Sequence, residues 1–179
     1  MSGMDAAGRD MSRPVPRAFF RMLDALDAVS RWAIIALMAV MTSTVVIQVF
    51  VRYILNDSID AADEVSRLTF VWAILLAIPH GLKTGAHVGI DLVVGRLGPA
   101  WRNRIFRFTS AAGILLLLVV AWQAQFMMQR TWDQPMPTLP FSNGIFYIAL
   151  LLSTVHAALH LVPYTLGWAA EPSLVEDPT

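Results

Sequence analysis

Charged residues divide this chain into gaps, and four of the gaps are apolar and long. A helix rises ~1.5 Å per residue and a bilayer's hydrocarbon core is ~30 Å thick, so about 20 uncharged residues make one crossing. Residues 32–51, between Arg31 and Arg52, meet that length. Residues 68–82, between Arg67 and Lys83, fall short; the span borrows from Val65 and lets the flanking basic side chains snorkel. Residues 108–128 lie between Arg107 and Arg130, with Gln123 and Gln125 making the later turns partly polar. Between Asp133 and Glu171 no charge occurs, and 145–166 reads as a fourth helix after the Pro-rich loop 134–140. Lipid offers no partner for backbone amides, and runs of this length satisfy them as helices rather than barrel strands. The pattern predicts an all-α integral membrane protein: four transmembrane helices, near 32–51, 65–82, 108–128 and 145–166, in one domain over 16–170.

Before the first span, Phe19, Met22, Leu23, Leu26 and Val29 recur at helical spacing, with Arg17, Arg21, Asp24 and Arg31 opposite. This predicts an N-terminal amphipathic interfacial helix, flat on the membrane; the alternative is a cytosolic extension of span one. A similar element is expected through Val88, Ile90, Val93, Val94 and Leu97. Residues 1–15 are expected to be a disordered cytoplasmic tail and 171–179 a second tail. With 31 residues ahead of it and no small-residue cleavage pattern after it, the first run is expected to be a retained helix, not a signal peptide.

Composition agrees: 56% of the 179 residues are hydrophobic and 15% charged, too apolar for an ordinary soluble domain. The 13 basic and 13 acidic residues cancel, so no net field draws nucleic acid. Their placement is asymmetric. Arg9, Arg13, Arg17, Arg21, Arg31, Lys83, Arg96, Arg102, Arg104 and Arg107 fall on one side of the predicted membrane, and only Arg52, Arg67 and Arg130 on the other. The positive-inside rule then puts both termini in the cytoplasm of a multi-pass inner-membrane protein. Cysteine is absent, which removes disulfides and thiolate metal sites.

Candidate chemistry is sparse. The interiors of the runs hold no ionised side chain, whereas carriers that couple to protons ordinarily need one. Neither a phosphate loop nor a nucleophile with base and orienting partner is present, so no enzyme is expected. Four histidines raise one alternative, a membrane electron carrier holding a haem between His80 and His156 or His160. His156 and His160 have the one-turn spacing of metal ligands, but no carboxylate accompanies them within the span, so a hydrogen-bonded packing pair is expected. Small-residue stripes, Ala73, Ala77, Gly81 and Gly85 in span two and Ala149, Ser153 and Ala157 in span four, are read as packing within a four-helix bundle rather than docking faces. Asp63, Glu64, Arg67, Phe70 and Trp72 cluster at the start of span two; Glu64 and Arg67, one turn apart, either pair with each other or meet a partner. After that span come His87, Val88 and Asp91, with Asp91 expected to tie down a turn.

In order along the chain these blocks resemble the small permease subunit, DctQ-like, of tripartite ATP-independent periplasmic (TRAP) transporters. Gln48-Val49 with Arg52-Tyr53 closes span one, Glu64, Arg67, Phe70 and Trp72 open span two, and His87-Val88 and Asp91 precede Leu97-Gly98-Pro99. The resemblance covers about residues 20–165. It departs at Asp63, where relatives often carry a second glutamate, and at Ala77, where many have glycine. It implies a scaffold for a large permease subunit that carries the substrate and sodium sites, in uptake of an organic acid delivered by a periplasmic substrate-binding protein. On that reading Arg52, Glu64, Arg67, Trp72, His87 and Asp91 are structural or partner-contact residues, and no catalytic, substrate, metal or cofactor site is expected on this chain.

Overall fold

The computed structural model describes residues 14–85 and 99–168. Helix α1 (Pro14–Phe50) runs into a π-helical turn, Val51–Leu55, and is followed by α2 (Ala62–Gly85), α3 (Pro99–Thr131) and α4 (Ile145–Leu166). All four are long and apolar enough to cross a membrane, and no strand occurs among the described residues. His87, Asp91, the amphipathic element expected through Val88–Leu97 and the tails lie outside the described residues, except that Pro14 and Val15, expected in the disordered N-terminal tail, already belong to α1.

Helix α1 has 37 residues, ~55 Å at helical rise and well beyond one hydrocarbon core. No break separates its amphipathic first half from span one, so this segment is helical as expected but continues the span, as the extension alternative held. Its buried positions are Pro16, Phe20, Leu23, Asp27 and Ser30, alternating steps of four and three that make a narrow seam. Met22, Leu26 and Val29, expected on the apolar face turned toward the membrane, lie outside this seam and are exposed.

The helices form a row, α1 against α2, α2 against α4, α4 against α3, with α1 touching α4 only slightly. This corrects the expected bundle. Helix α4 is the enclosed member: 44% of its apolar window is buried within the chain, against none of that of α1. The α4 stripe of Ala149, Ser153 and Ala157 is buried and lets its neighbours approach, the packing role expected of it. The α2 stripe divides. Ala73 is buried, whereas Ala77 is exposed and a Cβ added at Gly81 would meet nothing within 4 Å. Between α3 and α4, a Cβ at Gly113 would lie 3.0 Å from Leu161 Cδ1, so glycine there sets the closeness of that pair.

One contact explains the α2–α4 register. Pro79 lies inside α2 and has no N–H, which leaves the carbonyl four residues earlier, on Leu75, without its helical donor. Ser153 Oγ on α4 donates to that carbonyl. A proline break in a membrane helix is tolerated where a neighbouring hydroxyl supplies the missing donor, as here.

Candidate functional site

Helix α2 carries a polar centre near each end, ~28 Å apart for the 19 residues from Glu64 to Lys83. At its C-terminal end, α1, α2 and α4 meet around Asp27, which is 2% exposed. Asp27 Oδ2 accepts from Lys83 Nζ at 2.6 Å. Its other oxygen lies 2.8 Å from His160 Nε2 and 3.1 Å from His156 Nε2, and the two imidazole nitrogens are 3.2 Å apart. One turn along α1, Ser30 Oγ is 2.7 Å from His80 Nε2 and donates to the Asp27 carbonyl. His156 and His160 share a face because they stand four residues apart on a helix. Phe19 packs edge-on to Trp168, with ring centroids 5.8 Å apart, and so holds the start of α1 against the end of α4.

The second centre is Glu64, in the first turn of α2. Its Oε2 accepts from the Thr138 amide (3.0 Å), the Thr138 hydroxyl (2.6 Å) and the Leu139 amide (2.9 Å). The loop between α3 and α4 is thereby fastened to α2. Within that loop Met136 is buried, and its amide donates to Phe141 O at 2.8 Å. Glu64 thus gives its carboxylate to the chain's own loop rather than to an ion pair with Arg67. Arg67 sits 5.5 Å from the Phe146 ring centroid.

Arg67 also lines an open groove of about 540 Å³ with Val71, Leu75, Thr131, Asn143 and Phe146. Trp72 Nε1 is buried and has no acceptor among the described residues. Arg52 is exposed in the π-helical turn, which closes through Asp57 N to Val51 O at 3.3 Å. Gln48 earns its place in the motif structurally: its Oε1 accepts from the Ile59 amide at 3.1 Å and ties the α1–α2 loop to α1.

Sequence reasoning missed Asp27 and Thr138. A signal for the first was present, since Asp27 stands seven residues after Phe20 and four after Leu23, on the packed seam rather than the polar face. Its position removes the objection to a metal-ligand reading of His156 and His160, because a carboxylate does accompany them, from α1. The imidazoles that the haem alternative requires present Nε2 to Ser30 and Asp27.

Four membrane-length helices, polar contacts that knit helix ends and loops together, and broad apolar outer faces define a polytopic membrane subunit. The chain belongs to the family of tripartite ATP-independent periplasmic transporters, DctQ component, whose model matches residues 41–168. It is therefore a transporter subunit of the inner membrane. It is 29% identical over 131 residues to the C4-dicarboxylate TRAP transporter small permease protein DctQ of Vibrio cholerae, covering 68% of this chain and 56% of that one. A Haemophilus influenzae protein with the same small-permease assignment is 26% identical over 137 residues, covering 76% of this chain and 83% of that one. The isethionate TRAP transporter permease protein DctMQ of Oleidesulfovibrio alaskensis is 28% identical over 128 residues, 67% of this chain but 20% of that longer one.

Proposed function

We propose that this chain is the stationary small permease of a TRAP transporter, bracing a large permease subunit that carries out sodium-coupled uptake of a small organic acid. A periplasmic substrate-binding protein delivers the acid. The family match over residues 41–168 is the observation that carries this reading. Relatives named for C4-dicarboxylate and isethionate support a small organic anion as cargo. The DctMQ relative, in which the matching region is a fifth of a longer permease chain, supports a large partner held beside the small one.

A stationary role agrees with the chemistry. Asp27, Lys83 and Glu64 are engaged in contacts between helices or between helix and loop, which suits a frame better than a moving gate. The outer faces of α1 and α3, with Val46, Phe50, Leu115 and Trp122 exposed, supply surface for lipid and for the large subunit. Arg52, Arg67 and Trp72 are the candidate contacts at one end, and the asymmetry of basic residues supports a periplasmic position for that end, with both termini in the cytoplasm.

The test is reconstitution with a large TRAP permease subunit from the same organism. Proteoliposomes holding both subunits, given the binding protein, a sodium gradient and labelled C4-dicarboxylate or isethionate, should accumulate label, and those lacking this chain should not. Failure to copurify with the large subunit, together with undiminished uptake in its absence, ends the proposal.

A further inference from the structure

We propose that Asp27, His156 and His160 form a binding site for a divalent transition ion, Zn²⁺ by preference, that clamps α1 to α4. The inference is independent of the transporter assignment and rests on a triangle of three ligand atoms. Asp27 Oδ1, His156 Nε2 and His160 Nε2 stand 2.8, 3.1 and 3.2 Å from one another, on three buried residues.

Protons alone fill this triangle in a single crowded arrangement. The carboxylate is an anion, since Lys83 Nζ lies 2.6 Å from its other oxygen, so Oδ1 only accepts. If both imidazoles carry hydrogen on Nε2, both donate to Oδ1, and two N–H donors confront each other at 3.2 Å. Should either nitrogen be unprotonated, its lone pair faces a carboxylate oxygen at 2.8 or 3.1 Å. Only the tautomer with hydrogen on both Nε2 atoms avoids a lone pair against the carboxylate, and it crowds two N–H groups 3.2 Å apart onto one oxygen. A cation meets all three lone pairs at once.

The dimensions suit one. Zinc binds imidazole nitrogen at ~2.0–2.1 Å and carboxylate oxygen at ~2.0–2.2 Å, and tetrahedral angles then separate the ligand atoms by about 3.3 Å. An ion about 1 Å out of the plane of the observed triangle reaches all three atoms at such lengths. Two imidazoles and one carboxylate favour zinc over magnesium or calcium, which prefer all-oxygen sets. Lys83 on Oδ2 is the outer partner that orients the ligating carboxylate, with its own side chain 36% exposed.

The full chain, purified without an affinity tag and stripped with chelator, is titrated with Co²⁺ alone and then with Zn²⁺. One equivalent of Co²⁺ should give the visible d–d absorption of a four-coordinate nitrogen and oxygen site, and Zn²⁺ should abolish it. D27N, H156Q and H160Q should each weaken Co²⁺ binding about tenfold or more, whereas D133N, at an exposed loop position, should leave it within about threefold. Wild-type protein that binds no Co²⁺, or binds it without the d–d band, overturns the site, and this arm stands even where a variant aggregates. A band that survives H156Q and H160Q, or disappears with D133N, overturns it equally.

Discussion

Removing the Ser153 hydroxyl should expose how α2 tolerates its proline. Ser153→Ala deletes the donor to the Leu75 carbonyl, a group that Pro79 has already deprived of its helical partner, at a position 1% exposed. Hydrogen bonds between membrane helices contribute about 0.6 kcal/mol on average and up to about 1.7. A carbonyl left bare in a buried site costs about 1–3 kcal/mol. The lost volume is a single oxygen beside Ala149 and Ala157, so the cavity contribution is small and the expected loss is about 1–2 kcal/mol. Reversible unfolding in mixed micelles with rising sodium dodecyl sulfate, followed by far-UV circular dichroism, measures it. The diagnostic is a double-mutant cycle with Pro79→Ala, which restores an N–H at position 79 and gives the Leu75 carbonyl its own helix as partner. In that background Ser153→Ala should cost less than about 0.5 kcal/mol, for a coupling of about 1 kcal/mol. Additive effects would refute the account, because they would mean the hydroxyl does not stand in for the missing amide.

Three further outcomes follow from other contacts. Glu64→Gln removes the charge that gathers three donors, so hydrogen exchange at the Thr138 and Leu139 amides should quicken at least about tenfold; unchanged exchange would show that the loop holds itself. Gly144→Val puts a Cβ 2.9 Å from Trp132 Cε3 and 3.2 Å from the Met128 carbonyl, and should destabilise by about 1–3 kcal/mol in the same detergent titration, with a wild-type midpoint counting against the packing described. Gly167→Ala must hold φ at +71°, with its Cβ 2.6 Å from an Arg107 guanidinium nitrogen that can swing aside, and should cost about 1–2 kcal/mol; Gly81→Ala, with open space around it, should be neutral or stabilising by up to about 1 kcal/mol. Equal effects at the two glycines would contradict the backbone argument.

The chain's helices were legible because lipid enforces them. Runs such as 108–128 have one way to satisfy their backbone, and Arg107 and Arg130 mark where it ends. The ordered residues from Gln48 to Trp72 were legible as a family pattern, although their individual tasks were not. Gln48 caps a loop amide and Glu64 gathers a loop 74 residues away, neither of which periodicity contains. The open row also escaped sequence reasoning, since α1 and α4 are both apolar and hydropathy does not distinguish a lipid-facing side chain from one packed on another helix.

By itself the sequence determined how many times this chain can cross a bilayer, and that α1 is amphipathic before its span, because both follow from residue spacing along one helix. Tertiary structure alone decided that Asp27 meets Lys83, His156 and His160, and that Ser153 meets the carbonyl freed by Pro79. Those meetings depend on how each helix is rotated and seated against its neighbours, which is set by the summed packing of small side chains across three helices and leaves no mark in any single run of residues.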